Sequence, residues 1–329
     1  MKNSQTNKSE IHIPSAARKI LSYFELRARD SFASIANATK CSEQLVKYHF
    51  RRYQELGFIS ECNGVFDPAI LGHTLYIVYL SFLGTSTAEE ESWMQQCRKK
   101  KGVMVVSLTF GKWNGFVAVW AKNHDDLENL LWEVSKPLSG KIAEMQVTTR
   151  LNCSYGSTRI LDDKYQYISH SAPVPSKPYE LRDPDAQILK LLAKNARLSA
   201  AYIGKEVGLS ANSVQNHIRN LEKHSIILGY RAKYNYGLLG YTQFRLLIRL
   251  AENSSDMTMR IMKELFNSGQ VIIVSRHLGF SDLDARCYTR TIQDLSKLVA
   301  HIRDTFAKSI IQVEVVPFMK LQYVDHLPI

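Results

Sequence analysis

The chain has few of the groups that announce a metal centre or a disulfide framework. Its five cysteines, Cys41, Cys62, Cys97, Cys153 and Cys287, include no Cys-x-x-Cys pair, so neither a zinc knuckle nor a stapled scaffold is signalled and reduced thiols in a cytoplasm are expected. Long apolar runs are missing as well. The strongest, at 75–83, is too short to span a bilayer, and the polar start MKNSQTNKSE lacks the apolar core of a signal peptide. No phosphate loop, Ser-His-Asp order or His-Glu-x-x-His run occurs. His217 and His224 share a helix side but have no companion at metal-ligand spacing. The sequence therefore predicts no catalytic residue, cofactor or metal, and a protein that is not an enzyme. Acidic groups are the minority: 31 Asp and Glu against 42 Lys and Arg give a net charge of +11, which favours a polyanionic partner. With 329 residues, 45% of them hydrophobic and 22% charged, the chain is long enough for two or more folded domains.

What is present centres on residues 185–240. Ile188, Leu189, Leu191 and Leu192 recur at helical spacing, a shorter run follows at 200–207, and Val214, Ile218 and Leu221 share one face of a third run. Gly208 suits the tight turn before that run, and Ser210 suits its N-cap. Helix, short helix, turn and helix make a helix-turn-helix pattern, and 226–234 reads as an extended wing. Beyond Ser210, the last helix turns Asn212, Ser213, Gln215, Asn216, Arg219 and Asn220 outward. Such groups suit base edges and phosphates; a purely stabilising helical hairpin is the plainer account.

Shifted by 168 positions, the pattern recurs without a gap. Ile20 falls on Ile188, Ala28 on Ala196, Arg29 on Arg197, Ser42 on Ser210 and Gly72 on Gly240, so the chain is an internal duplication. The first copy's last helix begins at Ser42 and exposes Gln44, Lys47, Tyr48, Arg51 and Arg52. This face is the more cationic of the two, so double-stranded DNA is expected to engage both helices with the first dominant.

The stretch resembles the Lrp/AsnC family of transcription regulators. The resemblance rests on Asp185 with Ile188 and Leu189, the pairs Ala196–Arg197, Leu209–Ser210 and Leu221–Glu222, and the closing Leu239–Gly240. Where the family often carries two arginines in the last helix, the second copy has His217 and Asn220; the first copy keeps one of them as Arg52. The matched His49 and His217 are expected to pack or to contact DNA. The resemblance implies a sequence-specific, cytoplasmic DNA-binding regulator that responds to an amino acid or another small effector. It also implies that the module after each helix-turn-helix senses and dimerises.

In those modules the period changes. Strands at 74–83, 103–110, 116–121 and 142–151 alternate with helices at 87–100 and 127–138, and the order recurs in the second half, its last strand at 310–318. The order βαββαβ is ferredoxin-like. The expected fold class is α+β, two winged helix-turn-helix domains alternating with two ferredoxin-like βαββαβ domains. The boundaries follow: a disordered tail at 1–10, the first winged domain at 11–72 and the first effector and dimerisation module at 73–168. A Pro-rich linker at 169–180, the second winged domain at 181–240 and the second module at 241–329 complete the chain.

The turn Gly279, Phe280, Ser281 and Asp282 resembles the family's effector signature, with Asp282 placed to hold an amine. The first copy has Gly111 and Asn114 there, and a neutral amide holds an ammonium less well; ordinary hairpin turns are the plainer account. Strand alternation leaves one apolar sheet face, with Ile77, Tyr79, Phe116 and Trp120, uncovered by helices. It is expected to meet the face with Arg245, Leu247, Arg249, Asp284, Arg286 and Tyr288 in an intramolecular pseudo-dimer, further homo-oligomerisation being open. No membrane partner is expected. Two alternatives stand beside the regulator. One is a tetrapyrrole enzyme similar to the siroheme decarboxylases, against which 107–111 and 275–279 supply only His277. The other is an adaptor that keeps the fold without binding DNA.

Overall fold

The computed structural model describes residues 10–162, 167–170, 178–252, 254–323 and 327–329. Of the expected tail only Glu10, and of the expected linker only 169–170 and 178–180, lie among them. The first copy opens with α1 (Ser15–Leu26), α2 (Phe32–Thr39) and α3 (Glu43–Glu55), followed by β1 (Ile59–Phe66). Ser31 and Ser42 cap α2 and α3 by accepting the amides of Ser34 and Leu45, groups that a first helical turn leaves open. Ile20, Leu21, Ile35 and Val46 are fully buried where the three helices meet.

The first module then runs β2 (Thr74–Phe82), α4 (Thr87–Cys97), β3 (Val103–Thr109), β4 (Gly115–Ala121), α5 (His124–Ser135) and β5 (Ile142–Gly156). A short β6 (Tyr167–His170) precedes the second helix-turn-helix, α6 (Asp183–Lys194), α7 (Ala200–Val207), α8 (Ala211–Lys223) and β7 (Ile227–Tyr234). The second module is β8 (Thr242–Leu250), α9 (Ser255–Asn267), β9 (Val271–Leu278), β10 (Leu283–Thr289), α10 (Ile292–Thr305) and β11 (Ile310–Tyr323). The fold is α+β, with winged helix-turn-helix and ferredoxin-like parts in alternation.

The sequence predicts β5 and β11 to end near residues 151 and 318. Both run about five residues further, and those residues do different work. The first part of β5 pairs with β2, and its last part pairs with β9 of the other module. β11 likewise pairs first with β8 and then with β3. The sheet order β2-β4-β3-β11-β8-β10-β9-β5 therefore closes on itself through β2 and β5. Closure removes the edges that two separate four-stranded sheets would expose.

The uncovered apolar face is buried inside this ring. Ile77, Tyr79, Phe116 and Trp120 share a core with Leu247 and Phe318, Arg245 lies over the Phe116 ring at 4.4 Å, and the Tyr79 hydroxyl donates to Asp284 at 3.1 Å. Arg249 departs from the expectation: it is exposed.

The wings depart too. Each reads in sequence as part of its own domain, yet β1 and β7 pair with one another, Asn63 opposite Arg231 and Gly64 opposite Tyr230. Asn63 and Arg231 are equivalent under the 168-residue shift, so a pseudo-twofold axis passes between them. Each helix-turn-helix core is completed by the other copy: Tyr234 and Leu239 join the first, Phe66 and Leu71 the second. The two ends are also clasped reciprocally. Arg29 donates to the carbonyls of Ala196 and Leu198, and Arg197 donates to those of Ala28 and Asp30.

Candidate functional site

Both last helices present their expected faces to solvent. On α3, Gln44, Lys47, Tyr48, Arg51 and Arg52 are exposed, while Val46, Phe50 and Tyr53 point inward. On α8, Asn212, Gln215, Asn216, Arg219 and Asn220 are exposed and Ser213 is half-buried. Ser42 and Ser210 are N-caps: their hydroxyls are committed to the Leu45 and Ser213 amides, leaving a phosphate only what the helix starts themselves offer. The faces differ in how far they are already engaged. Arg219 donates to Asn216 at 3.1 Å, and Asn220 donates to the Tyr179 hydroxyl at 3.2 Å. Lys47 pairs with Glu43 at 2.6 Å, whereas Arg51 and Arg52 make no ion pair among the described residues.

The matched histidines differ, His49 being buried and His217 half-buried. His49 has Nδ1 unpartnered among the described residues, and burial followed by the Arg52 charge lowers its pKa. His217 Nδ1 lies 2.7 Å from a carboxylate oxygen of buried Asp185; the first copy has Ala17 in place of that acid.

The expected effector turns have a local task. Asp282 accepts the Leu250 amide at 2.8 Å, and Asn114 accepts the equivalent Phe82 amide at 2.8 Å. The two side chains thus share a structural task beside any effector role: a side-chain oxygen ties down a strand end in both copies, and Asn supplies it as well as Asp. Gly111 and Gly279 hold positive φ of 103° and 147°. Phe280 packs 5.5 Å from the Tyr79 ring and 5.8 Å from Trp113, closing one end of the ring, and Ser281 is buried. Asp282→Asn is accordingly expected to leave the melting temperature nearly unchanged. Asp282→Ala should cost roughly 1–3 kcal/mol, the price of an orphaned strand-end amide; equal losses in the two variants would remove this explanation.

At the other end the ring opens into a cavity of about 770 Å³ beneath the paired wings, the size of a small-molecule site. Sequence reasoning passed over it because each lining residue reads singly as an ordinary sheet or wing residue; comparing the two copies position by position was the available signal. Arg150, Arg231, Arg245 and Arg286 reach it. Arg231 lies over Tyr155 at 4.9 Å and Arg150 over Trp120 at 5.4 Å. Burial opposes a charge on Asp284, but Arg245, its ion-pair partner, and the neighbouring His277 and Tyr79 together hold the carboxyl below its ordinary range. Burial lowers His277 to about 4, so this imidazole is neutral at pH 7. Glu25, from α1, also lines the cavity. Its carboxylate accepts from the Tyr236 hydroxyl at 2.8 Å and from the Thr158 amide at 3.2 Å, and burial raises it to about 7 against the opposing pull of Arg231. Among the described residues no helix is long and apolar enough to cross a membrane.

Residues 181–227 match a family model described as winged helix-turn-helix DNA-binding. The HTH-type transcriptional regulator Ptr1 of Methanocaldococcus jannaschii is 31% identical over 119 residues, which are 35% of this chain and 77% of Ptr1. An uncharacterized HTH-type transcriptional regulator of Pyrococcus furiosus is 28% identical over 126 residues, 38% of this chain and 81% of that protein. Over nearly the whole length the fold is similar to the siroheme decarboxylase NirDL, solved in co-complex with an iron-uroporphyrin III analogue. The TM-score is 0.62 with 10% identity, covering 94% of each chain. The expectation that the chain is not an enzyme is corrected by this likeness: the complete tandem architecture is one on which an enzyme is built.

Proposed function

Because the chain belongs to the Lrp/AsnC family of helix-turn-helix transcriptional regulators, in tandem form, we propose that it reads double-stranded DNA sequence-specifically through α3 and α8. In this reading it answers to a small molecule held in the cavity beneath the wings. The observation that carries the DNA reading is the solvent-facing polar surface of both helices, above all Arg51 and Arg52, on a chain of net charge +11. The fused wings hold the two readers as one body with unequal faces, which suits half-sites of unequal sequence. Phosphate contacts release counterions, so binding should weaken steeply with salt. Arg51→Ala with Arg52→Ala should lower the slope of log K against log salt by roughly 2, about 0.9 for each contact. The assay is a mobility shift on a duplex selected from a random library. An unchanged slope in that double variant, with binding abolished by Arg219→Ala, would reverse the ranking of the helices; no selected duplex at low salt would favour an adaptor.

A second reading, a tetrapyrrole enzyme of the siroheme-decarboxylase kind, is favoured by the full-length fold likeness together with an arginine-lined cavity. Its test is spectral titration with iron-uroporphyrin followed by product analysis for lost carboxyl groups.

A further inference from the structure

Duplication gives the cavity two walls of common origin, and they have diverged in opposite directions. Where the first module places Ile77 and Ala118 on the lining, the second places Arg245 and Arg286 at the equivalent positions. Leu75 is likewise matched by Gln243. The crossing strands complete the division. β11, which passes beside β3 of the first module, contributes Phe318; β5, which passes beside β9 of the second, contributes Arg150 at the matching position. One half of the ring is thus apolar and bears Trp120, while the other bears three arginines, of which Arg245 is paired with Asp284. A homodimer could not divide its cavity this way, since each substitution would appear on both sides.

Among the described residues, one buried oxygen on the lining, Asn63 Oδ1 on the wing strand, has no hydrogen-bond partner, and three buried side-chain nitrogens have none either: Trp120 Nε1, Gln243 Nε2 and Arg245 Nε. All three are donors, and a buried donor without an acceptor is costly. Orphaned donors and excess cationic groups call for acceptor-rich negative charge, whereas the opposite wall calls for a planar apolar body.

We infer that the cavity binds one amphiphilic organic anion per chain, an aromatic body carrying its carboxylate on a single edge. The acidic edge meets Arg150, Arg245 and Arg286, and the ring lies toward Trp120 and Phe318. This names the ligand class for the effector part of the regulator reading and rests on it only in calling that ligand an effector, since binding is measured without DNA. The arrangement disfavours a macrocycle with carboxylates on every edge, because half of them would face the apolar wall.

The full chain is titrated by calorimetry and tryptophan fluorescence with 2-naphthoate, its neutral methyl ester, acetate and iron-uroporphyrin. Expected are one naphthoate per chain, and ester and acetate each weaker by about tenfold or more. Arg286→Ala, which installs the residue the first module already has, and Arg150→Gln should each weaken naphthoate about tenfold, with melting temperatures reporting that both variants fold. Trp120→Leu should weaken naphthoate but leave acetate unmoved. Two naphthoates per chain, an ester that binds as well as the acid, indifference to both arginine variants, or uroporphyrin binding more tightly than naphthoate would each overturn the assignment. The last outcome would support the enzyme reading in its place. Failure of the DNA reading registers separately, as no shift on a selected duplex.

Discussion

Arg197→Ala is expected to lower the unfolding free energy by roughly 3 kcal/mol or more, since hydrogen bonds to a charged group are worth about 1.5–3 kcal/mol each. Arg197 donates to the carbonyls of Ala28, at 2.6 Å, and Asp30, at 3.1 Å. Its guanidinium also lies over Phe32 at 4.3 Å, Phe50 at 5.0 Å and Phe24 at 5.4 Å. Alanine would leave two carbonyls without their donor and strip a cation from three rings that form the first helix-turn-helix core. Both bonds come from one guanidinium nitrogen, so Arg197→Lys keeps the charge and a donor but loses the planar group that lies over the rings, and the loss should be intermediate. Arg29→Ala should be milder, because Arg29 has a single ring beneath it, Tyr230 at 5.5 Å. Urea denaturation followed by tryptophan fluorescence gives the three values. A loss below about 1 kcal/mol for Arg197→Ala, the range of ordinary surface changes, would mean that the clasp does not hold the readers together.

The clasp marks the boundary of what could be read in the sequence. Helix starts, buried faces and the βαββαβ order follow local rules of capping and periodicity, and Ser42, Ser210, Ile188 and Val214 stand where those rules put them. The motif pair Ala196–Arg197 was visible too, but its task was not, because its partners lie 167 and 169 residues away. Strand alternation states which face a residue takes and never which strand lies beside it. The sequence therefore showed a wing at 226–234 without revealing its partner strand, and it ended β5 and β11 where they cross into the opposite module. The orientation of the DNA-facing side chains was legible for the same local reason, since the inward face of α3 or α8 fixes the outward one. The cavity belongs to both walls at once and becomes visible only when they are brought together.

Glu25 gives the last expectation, a dependence of stability on pH that the symmetric half of the molecule lacks. Its counterpart under the 168-residue shift is Ala193, so the device belongs to the first reader alone. Burial raises the Glu25 carboxyl from 4.5 to about 7, with Arg231, Tyr236 and Thr158 pulling the other way. Below pH 4.5 the group is protonated in both folded and unfolded chains and contributes no slope. Between about 4.5 and 7 the folded state holds the proton more firmly, so stability falls as pH rises through this window; above it the cost of the buried charge is fully present. At about 1.36 kcal/mol per pH unit, the difference approaches roughly 3 kcal/mol. Glu25→Gln is neutral throughout and can still bond Tyr236 and the Thr158 amide, so it should be the more stable protein at pH 8 and nearly equal to wild type at pH 4.5. Melting curves of the two proteins across that range decide it, and parallel curves would show that Glu25 does not titrate inside the window. Since α1 places this carboxyl on the cavity lining, an anion held by Arg150, Arg245 and Arg286 adds negative charge to the same cavity and should disfavour the charged form of Glu25. That moves the window upward and strengthens protonation of Glu25, on the α1 that packs in one core with the more basic reader α3.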